Sequence, residues 1–96
     1  EALQRFLIQK MFLRVDEIDA ERGGTEVNEG QARLKERLIP IAQEVIVLAD
    51  HTKLRRCSSF FFSSLDRIDR LITTRPEDPK ILDEFRKNGV SVTVAD

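Results

Sequence analysis

One cysteine, Cys57, stands in 96 residues. A single thiol cannot close an internal disulfide, which fits a reducing compartment, and its surroundings lack metal-ligand spacing. Neither a disulfide framework nor a zinc site is therefore expected, and Cys57 reads as a small buried apolar residue. A surplus of one charge is also missing: 16 Lys and Arg face 17 Asp and Glu, for a net charge of −1. Proteins that bind the phosphate backbone concentrate Lys and Arg, so this chain is not expected to contact DNA itself. No apolar stretch approaches the roughly 20 residues that span a bilayer. No signal peptide is visible, so the expectation is a cytoplasmic protein without a membrane partner. Glycine is sparse, and Gly23-Gly24 completes neither a dinucleotide-binding nor a P-loop pattern, so no cofactor is expected.

What is present suits one globular α/β domain over 1–96. The chain is 41% apolar and 34% charged, and a domain of this length buries roughly 60–65% of its unfolded surface. It begins at Glu1, without Met, and enters an apolar pattern at once, which reads as an excised piece of a longer protein. The run Val45-Ile46-Val47-Leu48-Ala49 is apolar, mostly β-branched, and passes directly into Asp50-His51-Thr52-Lys53. Such a run predicts a strand buried on both faces, as in parallel sheets covered by helices. Ligands of open α/β sheets bind beyond the carboxyl ends of the strands. That rule makes Asp50 to Lys53 the first candidate site.

Around this strand, Leu3, Phe6 and Leu7 predict a helix over Ala2 to Gln9, followed by a strand from Lys10 to Val15. Asp16 to Gly24 is polar and closes with two glycines, the pattern of a loop. Asn28 and Gln31 have the form of a capping box. The following helix sets Leu34, Leu38, Ile41 and Ala42 on one face, loosens at Pro40 and ends by about Gln43. Phe60-Phe61-Phe62, set between serines, predicts a strand. Ser64 to Asp69 forms a single turn capped by Ser64, and Arg70 to Thr73 a short strand. Asp78 and Pro79 open a last helix with Ile81, Leu82 and Phe85 buried, Asn88-Gly89 close it, and Val90 to Val94 alternate as a strand. The order is β-α-β-β-β-α-β with a leading helix: an α/β fold with a mainly parallel sheet.

Several chemistries can be weighed from these residues. Asp50 and Lys53 at a strand end suit a polyhydroxyl or phosphate group, with a solvated turn as the bland alternative. Lys53-Leu54-Arg55-Arg56 is a possible anion patch, though such runs are more often simply exposed. His51 adjoins Asp50, but no nucleophile elbow surrounds Ser58 or Ser59, so a catalytic triad is not expected. The acidic loop Asp16, Glu17, Asp19 and Glu21, with Glu26 and Glu29 nearby, could do acid–base work or hold a cation, although solvated loop carboxylates are commoner.

Taken as a set, these motifs resemble the C-terminal effector-binding domain of DeoR-family bacterial transcriptional regulators. Glu44 to Lys53 is similar to the family signature EVIVLADxxK. Lys10-Met11-Phe12-Leu13, Asp16, Ile18-Asp19, Glu21-Arg22-Gly23, Thr25, Asn28 and Ala32 fall along KAFLGADGIDxxxGLTTxNxxEA. Leu65 to Thr73 resembles LSDIDTLITD, and Phe85 to Val90 resembles LRxAGVEV. The likeness covers almost the whole chain, in order. It implies the fold shared by ribose-phosphate isomerases, glucosamine-phosphate isomerases and coenzyme-A transferases, here incomplete at its N-terminus. It also implies a domain that senses a phosphorylated sugar or related metabolite. Operator DNA would be bound only through a winged helix-turn-helix upstream, and the regulator would be a homo-oligomer. A glycine-rich strand-loop that holds the effector phosphate is likewise expected upstream of Glu1.

The expected effector contacts are Asp50 and Lys53 first, then Thr25 and Asn28, which also order the loop and cap the helix, and then Asp16. Departures from the family pattern cluster near this pocket. Arg14 and Glu17 stand where glycines flank Asp16, Gln31 replaces a common Glu, and Arg55 replaces the Gly after Asp-x-x-Lys. Large side chains at glycine positions fill space near a ligand, or in the case of Arg14 supply a phosphate contact. Two alternatives are an oligomerisation module with a decayed pocket and a sugar-phosphate isomerase. The isomerases of this fold resemble the chain at Asp16-Glu17-Ile18 but carry Asp-Gly-His there, and an isoleucine cannot do acid–base work.

Overall fold

Met11, Leu13 and Val15 are apolar at every second position, the spacing of a strand with one buried face. In the computed structural model, which describes residues 8–95, these three are buried while Lys10, Phe12 and Arg14 are exposed. They belong to β1 (Ile8–Arg14) and the residue after it. Ile8 and Gln9 are therefore strand, not the end of a leading helix; the rest of that expected helix, 1–7, lies outside the described residues.

The segment read as a loop is instead an antiparallel hairpin, β2 (Glu17–Asp19) and β3 (Gly23–Glu26). Its polar residues are used locally. The Asp19 carboxylate accepts hydrogen bonds from the Glu21 and Arg22 amides at 3.0 and 2.9 Å and so forms the turn. The glycines serve close approach of backbone. Gly23 has φ +88°, and a Cβ there would lie 2.1 Å from the Ser63 carbonyl. One on Gly24 would lie 2.5 Å from the Phe62 ring. A glycine pair signals a loop when read locally, but here it lets another strand lie against β3.

Helix α1 (Glu29–Leu38) starts as its cap requires, with Asn28 Oδ1 accepting from the Gln31 amide at 2.9 Å. Pro40 ends it: the chain tightens into a 3₁₀ turn over Ile39–Ile41. Of the expected face, Ile41 is buried and Leu38 and Ala42 pack against the core, but Leu34 is 45% exposed. Ala32, Lys35 and Ile39 are buried as well, because α1 leans on β3 and on β5 (below) with the Ala32–Lys35 side.

The apolar run lies in β4 (Ala42–Leu48), where Val45, Ile46 and Val47 are all buried. A short 3₁₀ turn, His51–Lys53, follows it. Then come β5 (Phe60–Ser63), a turn over Leu65–Arg67, β6 (Arg70–Thr74), α2 (Lys80–Lys87) and β7 (Ser91–Ala95). Ile81, Leu82 and Phe85 of α2 are buried as expected, and Gly89 takes φ +86° just past its end.

The strands form two sheets. Four are parallel, in the order β1-β4-β6-β7, and three are antiparallel, in the order β2-β3-β5. The fold is thus α/β with a mainly parallel sheet, but the Phe-rich strand pairs with the hairpin rather than with the parallel strands. Val45 and Val47 of β4, Ala32 of α1 and Phe85 of α2 share one core. Asp69 locks the amino ends of that sheet. Its Oδ2 accepts from the Val45 amide at 2.7 Å, and its own amide donates to the Val45 carbonyl. At the other end, the β1–β4 register sets Arg14 beside Leu48, so the two strands end together.

Candidate functional site

Where β1 and β4 end, Arg14-Val15-Asp16 and Leu48-Ala49-Asp50 diverge around a cavity of about 520 Å³. That volume is in the range of small-molecule sites. Glu26, Gln31, Lys35 and Lys53 complete its polar lining.

The deep wall is a buried ion pair. Lys35 Nζ lies 2.9 Å from Glu26 Oε2, and their side chains are only 11% and 5% exposed. Lys35 also donates to the Arg14 carbonyl, and its ammonium sits 5.4 Å from the centre of the Phe62 ring. Glu26 Oε2 accepts the Asp16 amide at 2.9 Å, while Asp16 Oδ2 accepts the Val27 amide at 2.9 Å. These reciprocal bonds fasten the segment after β1 to the end of β3. A charge can be buried only when it is paired and hydrogen-bonded, and both conditions are met here.

The mouth carries an exposed pair. Asp50 caps the 3₁₀ turn: Oδ1 accepts from the Thr52 amide at 2.9 Å and from the Thr52 hydroxyl. Asp50 Oδ2 lies 3.4 Å from Lys53 Nζ. The Thr52 hydrogen bonds, and secondarily the Lys53 charge, hold the Asp50 carboxyl below its ordinary value, so it is ionised at neutral pH. His51 turns away to β6, with Nδ1 2.7 Å from Thr74 Oγ1. Asp50 therefore orients no histidine. Ser58 Oγ donates to Glu17 instead, and no triad geometry exists among these groups.

Residues 1–75 match the DeoR C terminal sensor domain. The chain belongs to that family. It is 37% identical over 90 residues to the HTH-type transcriptional regulator GlpR of Haloferax volcanii, covering 94% of this chain and 35% of that protein. It is 34% identical over 96 residues to the HTH-type transcriptional repressor GlcR of Bacillus subtilis, covering 100% of this chain and 37% of that protein. The chain thus spans about a third of the length of these relatives.

Of the expected contacts in this sensor domain, Asp16, Asp50 and Lys53 converge on the cavity; Thr25 and Asn28 do not line it. Thr25 is buried, and its hydroxyl accepts the Ser58 amide at 2.7 Å and donates to the Glu17 carbonyl at 3.4 Å. It joins the hairpin to the segment before β5. Asn28 caps α1. Glu26 and Lys35, which also line the cavity, are not among the expected contacts. A faint signal exists, since Lys35 shares the helical spacing of Ala32 and Ile39, and a lysine on an apolar stripe demands a buried acid.

The four departures from the family pattern also divide. Arg14 and Gln31 line the cavity. Glu17 lies elsewhere, 2.8 Å from Arg56 Nε. Arg55 occupies a left-handed backbone position, φ +63°, which explains why glycine is at ease there, and its guanidinium reaches Glu84 of α2 at 3.0 Å. Lys53-Leu54-Arg55-Arg56 is therefore no anion patch: Leu54 is buried and both arginines are paired. Cys57 is exposed rather than buried, because it lies in the connection leading to β5. Among the described residues no group of His, Cys, Asp and Glu is placed to hold a metal, and no helix is long and apolar enough to cross a membrane.

Proposed function

We propose that this sensor domain binds a phosphorylated sugar or a closely related metabolite, and that occupancy modulates operator binding by a helix-turn-helix part of a longer, cytoplasmic, homo-oligomeric repressor. The observation that carries the reading is the cavity at the paired carboxyl ends of β1 and β4, where Asp16, Asp50 and Lys53 meet. Carboxylates accept hydrogen bonds from sugar hydroxyls, and lysine complements phosphate as a point charge. The names of the relatives, both HTH-type transcriptional regulators, support the regulatory setting. Coupling to DNA requires that the ligand favour one of two conformations of the assembly.

The alternatives have less support. A module with a decayed pocket would bury Arg14 and close the cavity, yet Arg14 is exposed and the cavity is open to a ligand of sugar size. An isomerase would need a proton-handling group at position 18, where a fully buried Ile18 packs into the core.

A thermal-shift screen against phosphorylated sugars and their parents tests the reading. Ligand at a hundred times its Kd stabilises the folded state by about 2.7 kcal/mol. Lys53→Ala is expected to weaken sugar-phosphate affinity with the fold intact; unchanged affinity removes Lys53 from the site.

A further inference from the structure

We infer that Arg14 is the residue that makes this cavity prefer an anionic sugar to a neutral one; the inference rests on the sugar-binding reading above. The lining carries three cations, Arg14, Lys35 and Lys53, and three carboxylates, Asp16, Glu26 and Asp50. Two couples are already neutralised within the protein. Lys35 is spent on Glu26 at 2.9 Å, and Lys53 on Asp50 at 3.4 Å. An anion approaching either couple meets a carboxylate beside the cation, so neither offers net attraction while its pair is intact; only the exposed Lys53–Asp50 pair opens readily. Among the described residues Arg14 has no side-chain partner, and it is exposed at the cavity wall. Asp16 is the carboxylate without a cation; one of its oxygens is held by the Val27 amide.

Arg14 and Asp16 lie two residues apart at the end of β1, both lining the cavity. They divide the work that an anionic polyol demands. The guanidinium forks onto two oxygens of the acidic group, and the carboxylate accepts from hydroxyls. The Arg14 carbonyl, bonded to the buried Lys35 ammonium, holds this stretch of backbone in place. Lys53 then contributes to affinity once its exposed pair opens, while Arg14 sets the charge selectivity. The shared chemistry is an anionic group on a polyhydroxylated carbon chain, and its source is either a phosphate ester or a sugar carboxylate.

The test is calorimetric binding of hexose and pentose monophosphates, their unphosphorylated parents and the corresponding aldonates to the wild-type protein, Arg14→Gln and Arg14→Lys. A charge-assisted hydrogen bond corresponds to roughly ten- to hundredfold in affinity. Arg14→Gln is expected to lower the ratio of anionic to neutral affinity by that factor and to leave parent-sugar affinity within about twofold, since only the charged contact is removed. Arg14→Lys is expected to keep part of the ratio, because it retains the charge and loses the fork. Parallel losses for phosphates and aldonates support Arg14 as a general anion contact; loss for only one class supports it and identifies the source. An Arg14→Gln protein with the wild-type unfolding midpoint and the wild-type preference overturns the inference and leaves the proposed function standing. Wild-type protein that binds none of the three classes overturns both.

Discussion

Two Lys–carboxylate pairs border the same cavity, and they do opposite kinds of work. Lys35–Glu26 is sunk between α1 and β3, with further partners from the Asp16 amide, the Arg14 carbonyl and the Phe62 ring. Lys53–Asp50 stands at the mouth, with side chains 37% and 45% exposed. Neither ion of the buried pair can return to water without its partner being stranded in the interior, so the pair acts as a fixed strut. The exposed pair trades readily with water, which leaves Lys53 free to be recruited by a ligand. A charged residue in a cavity wall is thus a candidate contact only if its present partner can be given up cheaply.

The largest effect is expected from removing one ion of the strut. Lys35→Ala strands Glu26 and is expected to destabilise the protein by about 3–5 kcal/mol in urea unfolding. Replacing both, Lys35→Met with Glu26→Leu, is expected to recover much of that loss, because the cost arises from the unpaired charge. A double variant no more stable than Lys35→Ala would show that hydrogen bonding to Asp16 and Arg14, not the charge, is what Glu26 and Lys35 supply. Next comes Arg55→Gly, which removes the exposed Glu84 pair but relieves a left-handed residue. With strain of order 1 kcal/mol set against a surface pair of about 0–1 kcal/mol, no net loss of stability is expected in the same unfolding curve. Lys53→Ala is expected to cost at most about 0.5 kcal/mol while weakening ligand binding, which separates stability from function at a single residue.

The smallest effect concerns pH. The folded-state value of Asp50 lies below its ordinary 3.8, so its contribution is complete above that value and is lost as pH falls through the depressed one. The gap in unfolding midpoint between wild type and Asp50→Asn is therefore expected to be constant from pH 7 to 5 and to close below about pH 4. A gap that does not narrow at all as pH falls below about 4 would mean that turn geometry, rather than the carboxylate charge, supports the cap.

The sequence determined, by itself, whatever depends on residues near one another. The β-branched run of β4, the Asn28 cap, the break at Pro40 and the Ile81–Leu82–Phe85 face of α2 are local patterns, and the structure places them as expected. That Asp50 and Lys53 stand at a strand end, on the wall of a cavity, was legible because they follow a run of that kind. What only the tertiary structure decided depends on which distant group arrives. Gly23 and Gly24 read as a loop until β5 comes close enough to need the missing Cβ atoms. Phe60 to Phe62 read as another strand of one sheet, and register placed them in a second. Thr25 read as a contact, yet its hydroxyl is taken by Ser58, 33 residues on. Lys35 carried no expectation of burial, and Glu26 and the Arg14 carbonyl, 21 residues away, drew it into the wall of the cavity. Apolar burial follows periodicity, because it is roughly proportional to area and indifferent to the neighbour's identity. Burial of a charge does not, because it is stable only where one particular partner meets it.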